Sequence, residues 1–271
     1  MDGIVINLIT PTTPFNGGGS DCLKHNIMAR IYSNSFFHYT TQEGLLGILK
    51  EGFKATYCKE QFKNKEGEIK YIGIPMISFC DIPLSLLSEV VYGDRGYAIG
   101  MKREWGLKKC LIPVFYYSPS ENSMSTKLLQ DSCSKFYANQ IHSGDAQYTM
   151  LGISKPYEKF EDEAYIKGRK KENYQEREWR KIDYSQRIWY DLKCYTEWRG
   201  AKKSKPYLNE KLEFTIDDIE LIMVKNDKTA QTVIKKILNP KFKICGQEIS
   251  DKLRYQLISK IITKDQITNN F

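Results

Sequence analysis

The sequence predicts an α+β protein. Three observations carry this. Short β-prone runs alternate with amphipathic stretches at helical spacing. The spacing between them is irregular, which disfavours a repeated βαβ pattern. The chain has 271 residues, 41% of them hydrophobic, enough for one large globular core or a domain with a small appendage.

Residues 1–30 read as an irregular arm, because Pro11, Pro14 and Gly17–Gly19 break any regular element. Ser35 to His38 reads as a strand. Thr41 is placed to cap the helix that follows, whose apolar stripe is Leu45, Ile48 and Leu49. Gly52 suits the left-handed position at its end. Residues 58–72 are charged and read as a loop. Ile77 to Cys80 is a short strand. Asp81-Ile82-Pro83 then opens a helix through Leu84, Leu86 and Leu87, with proline in the first turn.

Tyr92 to Gly96 is turn-rich, and Tyr97 to Met101 alternates as a strand. Leu111 to Tyr117 is β-prone, with Pro113 confining it to an edge or a strand start. Ser123 to His142 fits a helix with Leu128, Leu129 and Phe136 inward. Residues 158–175 read as an exposed loop or helix. Glu176 to Ile182 reads as a strand with Glu176, Glu178 and Arg180 on one face and Trp179 on the other. Ile219 to Val224 is a further strand. Asp227 caps a helix through Leu238, and Ser250 to Ile262 forms a last helix.

No run of 18 apolar residues exists, so no transmembrane helix is expected. The first residues carry an acid and too short an apolar run for a signal peptide. A cytoplasmic protein is expected. The seven cysteines form no CxxC pair, which argues for reduced thiols and against a disulfide framework or zinc. No metal is expected: His25 and His142 lack ligand spacing to acids or cysteines.

The net charge is +8. Between Lys167 and Lys205, basic residues interleave with Tyr174, Trp179, Tyr184, Trp189, Tyr190, Tyr195 and Trp198. Such a mixture suits a nucleic-acid groove, through phosphate neutralisation and base stacking. It equally describes a solvated basic face over a Trp/Tyr core.

Glu176 and Glu178 are the first chemical candidates. At positions i and i+2 of a strand, two carboxylates can stabilise a cation-like transition state or share acid/base work. The same spacing also occurs in plain charge ladders on half-solvated strands. His38 with Thr40 can hold a ribose diol or a carboxamide, and a lone strand histidine is as readily structural. Ser78 and Asp81 form a second polar strand end. Tyr92 and Tyr97 can stack on a planar ring. Dinucleotide, P-loop and nucleophile-elbow signatures are absent.

Four segments in order resemble the ADP-ribosyltransferase superfamily, and within it bacterial abortive-infection proteins of the AbiGi type. These are Phe37-His38-Tyr39-Thr40 with Gly44-Leu45 and Gly52-Phe53; Ile77 to Pro83; Tyr92 to Gly100; and Glu176 to Arg180. The resemblance spans residues 35 to 185. It implies a split β-sheet core flanked by helices over residues 31–225, with 226–271 as a helical extension packed on it.

It further implies NAD as substrate, held by His38, Tyr39 and Thr40, with Ser78 and either Tyr92 or Tyr97 shaping the nicotinamide pocket. Glu178 then stabilises the oxocarbenium-like state and Glu176 orients the acceptor. This sequence has Ser78-Phe79-Cys80 where the superfamily pattern has Ser-Thr-Ser. The expected function is an NAD-dependent ADP-ribosyltransferase toxin of an anti-phage system. Its acceptor would be RNA or DNA, and its partner a cognate antitoxin. The rival is a catalytically inactive antitoxin or nucleic-acid-binding regulator. A magnesium nuclease built on Glu176, Glu178 and Asp81 is a third reading.

Overall fold

Strand order and register fix the position of every candidate residue. The computed structural model describes residues 33–84, 86, 96–118, 120, 122–142, 144–158, 160, 165–166, 169–170, 172–184 and 211–270. All belong to one compact unit, Tyr32–Phe271. The expected arm at 1–30, Tyr92, and the stretch 185–205 lie outside the described residues.

The chain runs β1 (Ser35–Thr40), α1 (Gln42–Glu51), β2 (Phe53–Lys54), β3 (Thr56–Lys63), β4 (Ile69–Cys80), β5 (Tyr97–Lys102), α2 (Arg103–Lys108), β6 (Ile112–Pro113) and β7 (Phe115–Tyr117). Then come α3 (Met124–Tyr137), α4 (Ala146–Ile153), β8 (Ser154–Pro156), β9 (Tyr165–Ile166), β10 (Arg169–Lys170) and β11 (Glu178–Ile182). The last part is β12 (Lys211–Leu212), β13 (Ile219–Val224), α5 (Asp227–Ile237), β14 (Lys243–Ile244), β15 (Gln247–Glu248), α6 (Asp251–Ile258), β16 (Ile261–Thr263) and α7 (Lys264–Asn270). The class is α+β, as the irregular spacing predicts.

The main sheet has the order β16-β13-β5-β1-β4-β11-β6, with β3 also paired to β4. β4 is its organising strand. Cys80 pairs with both Phe37 of β1 and Glu178 of β11, so those strands flank β4. Met76 pairs with both Thr56 of β3 and Ile182 of β11. β1 and β3 therefore take turns on one edge of β4, and a gap opens between them.

Alternation along these strands divides the core. Phe36, Phe79, Ile99 and Ile222 face one large cluster with Leu45 and Leu49 of α1. Phe37, Tyr39, Cys80 and Met223 face another. Phe62, Ile72, Ile74 and Met76 pack with Leu129 of α3 and Leu151 of α4. Each such fully buried aliphatic or phenyl side chain contributes roughly 1.5–3 kcal/mol of transfer free energy.

Several expectations hold locally. Thr41 Oγ1 accepts the Gly44 N–H at 3.1 Å, and Gly52 ends α1 at a positive φ of 83°, though its ψ of 172° is extended and not the αL value expected. Others are corrected. Residues 58–72 form most of a β3–β4 hairpin turned at Asn64–Gly67. Their charges misled because Glu60 is buried against an arginine. Leu128 is 44% exposed, while its neighbour Leu129 is buried.

The α5 cap is Asn226, whose side chain accepts the Thr229 N–H, one residue before the expected Asp227. The last helix stops at Ile258, and Ile261–Thr263 joins the sheet parallel to β13. Residues 226–270 thus complete the sheet as well as covering it with helices.

Candidate functional site

Two places gather the chemistry-bearing residues, and β4 lies between them. The first is a buried charge cluster on β11. Glu178 Oε1 accepts Arg180 Nε at 2.8 Å, and its Oε2 accepts Arg180 Nη2 at 3.0 Å. The same Oε2 accepts Lys155 Nζ at 3.0 Å, and Lys155 also reaches Glu176 at 2.7 Å. Arg180 donates further to Glu60 Oε1 at 2.6 Å and to the Gly152 carbonyl at 2.9 Å. The Glu178 backbone N–H donates to the Tyr116 hydroxyl at 2.8 Å.

Glu176 is not on the strand. It closes a 3-10 turn, and Arg177 follows it in the left-handed region at φ 42°. This kink, and not strand alternation, brings both carboxylates to Lys155. The i, i+2 argument therefore found the right pair through the wrong geometry.

The cluster sets three carboxylates, Glu60, Glu176 and Glu178, against two cations, Arg180 and Lys155. Burial pushes the Glu178 carboxyl up, but Arg180 and Lys155 outweigh it and hold it well below the usual range. Burial also raises Glu60, and there the opposing pull of Arg180 and Lys155 does not win. Lys155 stays charged because Glu178, Glu60 and Glu176 outweigh the cost of its burial. The Glu178 carboxylate is therefore oriented and ionised at neutral pH, and both its oxygens are occupied by cations.

The second place is a cleft of about 340 Å³ in the gap between β1 and β3. His38, Phe53, Cys58, Met76 and Ser78 line it, with one face of α1 as the opposite wall. His38 Nδ1 lies 2.8 Å from the Ser78 carbonyl oxygen, which fixes the imidazole at the edge of β4. Its ring sits edge-on to Phe53, with centroids 5.3 Å apart. Burial, with Glu60 and Glu178, raises the Cys58 thiol to about 11, so it presents a neutral thiol and no nucleophile.

The predicted NAD-holding residues divide. His38 and Ser78 meet in the cleft. The Thr40 side chain packs against Gly44 at the start of α1. Tyr39 is core on the other face. The Tyr97 hydroxyl donates to Gln42 at 3.1 Å, tying β5 to α1. Phe37, Cys80 and Glu178 are cross-strand partners and share one face, so His38 and Glu178 lie on opposite faces of the sheet.

Asp81 stands apart from the acidic pair. It accepts the Ser33 N–H at 2.9 Å and Arg103 Nη1 at 3.0 Å. Among the described residues no group of His, Cys, Asp or Glu could hold a metal ion. Lys155, Glu60 and Arg103 were missed by sequence reasoning, since no local pattern marks them.

In the basic aromatic stretch, Trp179 packs against Phe36 at 4.9 Å and under Arg103. Tyr184 joins the cluster around Phe62. Tyr174 is 51% exposed and stacks on Tyr157 at 5.3 Å. Two of these three described aromatics therefore serve the core. No helix of the described residues is long and apolar enough to cross a membrane.

Residues 51–225 match a family described as abortive phage resistance protein AbiGi, antitoxin. An abortive phage resistance protein AbiGi of Lactococcus lactis subsp. cremoris is 28% identical over 228 residues, covering 73% of this chain and 89% of that protein. No solved structure matches the chain.

Proposed function

Because the chain belongs to the AbiGi family of abortive phage resistance proteins, we propose that it is the antitoxin of a phage-defence pair. It acts by binding its partner toxin and turns over no nucleotide. The observation that carries this reading is the state of Glu178. Both of its oxygens are engaged by Arg180 and Lys155, and the residue is only 6% exposed. An acid that stabilises a developing cation must present its charge to the substrate. Glu178 spends that charge inside the protein. The family description supports the same reading, since its printed wording includes antitoxin.

A binding role also suits the exposed apolar groups near this end of the sheet. Ile112 sits on its terminal strand, Phe115 follows it, and Tyr174 lies in ring contact with Tyr116. Tyrosines of this kind bury large area at low entropic cost in protein interfaces.

The NAD-dependent transferase is the second reading, favoured by one observation: His38 and Ser78 do border a ligand-sized cleft. Expression in a phage-sensitive host separates the two. As an antitoxin, the chain alone leaves growth intact and relieves arrest when co-expressed with the toxin of its system. Growth arrest by the chain alone, relieved by Glu178→Gln in a protein that still folds, overturns this reading and supports the transferase. Transfer of label from NAD to an RNA, DNA or protein pool would do the same.

A further inference from the structure

The cleft between β1 and β3 has a property that the antitoxin reading does not use. Three glycines of the α1 segment line it: Gly44, Gly47 and Gly52. Two have reasons inside the chain. A Cβ on Gly44 would come within 2.1 Å of Thr40 Oγ1, and Gly52 has φ of 83° with a Leu212 carbonyl 2.8 Å from where its Cβ would be. Gly47 has neither reason. It sits in the interior of a helix, at ordinary φ, and a Cβ there would meet nothing within 4 Å. Glycine in a helix interior is destabilising relative to alanine. Among the described residues nothing packs there to offset that cost, and Gly47 borders the cleft.

The remaining walls define what fits. Ile48, Phe53, Met76 and Ile77 are apolar. The Phe53 and His38 rings and the Met76 thioether favour contact with another ring. Polar lining residues are few: Ser78, Thr56 and His38, the last held against the Ser78 backbone carbonyl. The charged lining residues are Lys54 and Glu51, which pair with each other at the exposed rim. The volume of about 340 Å³ lies at the small end of ligand pockets.

We infer that this cleft binds a small, uncharged, planar ring compound of nucleobase size, and that Gly47 keeps the α1 wall clear for it. A phosphate-bearing ligand is disfavoured, since among the described residues the lysine at the cleft, Lys54, is paired with Glu51. This site is independent of toxin binding and stands or falls without it.

The test is calorimetric titration of the full chain with adenine, indole and ADP, alongside Gly47→Ala and Gly47→Leu. Adenine or indole is expected to bind with a dissociation constant below ~1 mM, the range in which a few apolar and hydrogen-bonding contacts place a ligand of this size. Gly47→Ala should weaken that binding by ~3-fold and Gly47→Leu by at least ~10-fold. Unfolding curves for both variants establish that they are folded. The inference is overturned if neither ring compound binds, if Gly47→Leu binds as tightly as the parent, or if ADP binds ~10-fold tighter than adenine. Failure here leaves the toxin-neutralisation assay untouched.

Discussion

Replacing Glu178 by glutamine keeps the shape of the side chain and removes its charge. The carboxylate accepts three charge-assisted bonds, two from Arg180 and one from Lys155, over 2.8–3.0 Å. The amide keeps one acceptor oxygen and turns an NH2 donor toward a cation. The two bonds to Oε2 are lost, each worth about 1.5–3 kcal/mol. Breaking a buried ion pair from one side costs about 3–5 kcal/mol in total.

With an m-value of about 3 kcal/mol/M in urea, the unfolding midpoint should fall by roughly 1–1.7 M. The carboxyl is held below its ordinary value of 4.5. Its stabilisation is therefore present above that pH and is lost as pH falls toward the folded value. The deficit of Glu178→Gln should be full at pH 7.5 and shrink below pH 4.5. Urea titration at pH 7.5 and pH 4, read by tryptophan fluorescence, measures both. A midpoint within ~0.2 M of the parent at pH 7.5 would refute the structural assignment. If phage protection were lost in that same stable variant, the carboxylate would be acting in chemistry.

Other expectations follow from single residues. Glu60→Gln removes a carboxyl that burial raises above 4.5, whose contribution is complete below pH 4.5 and declines as pH rises through the raised value; relative to the parent, the variant should therefore gain thermal stability as pH rises above 4.5, and a relative loss counts against the raised value. Gly47→Ala should stabilise the protein by about 0.5–1 kcal/mol in urea, since the added Cβ meets nothing. Arg254 donates to the carbonyls of Ile237, Asn239 and Pro240 at 2.8 Å each; Arg254→Leu leaves these acceptors at the end of α5 unserved and should cost about 3 kcal/mol or more in urea unfolding.

How much of this was legible depends on how local the cause is. The β1–α1 turn could be read from residues 35–52, because its determinants are contiguous: β-prone residues, a Thr41 cap, a helical apolar stripe and a Gly52 stop. The β3–β4 hairpin could not, because Lys59, Glu60 and Lys63 look like loop charges until Arg180 is placed beside Glu60. That pairing spans 120 residues of sequence. The capping of α5 shifted by one residue because Asn226 and Asp227 are equally good caps by type. The polar character of β16 and α7 is weak at 3.6 spacing, so a continuous helix was expected where the chain breaks to join β13.

The candidate site shows the same division more sharply. Sequence proximity correctly paired Glu176 with Glu178, and the sheet order places β1 and β11 on either side of β4. What no periodicity can state is which face of β4 each presents. The register Phe37↔Cys80↔Glu178 settles that arithmetic: an odd residue of β1 shares the face of an even residue of β11. His38, one residue on from Phe37, is thereby turned away from Glu178. A one-residue change in pairing would have put the imidazole and the carboxylate on the same side. Cleavage of a glycosidic bond needs the ligand-holding group and the charge-stabilising group on one side of the bound molecule. Here the imidazole borders a cleft with little charge, and the carboxylate is enclosed by the cations that hold β3, β8 and β11 together.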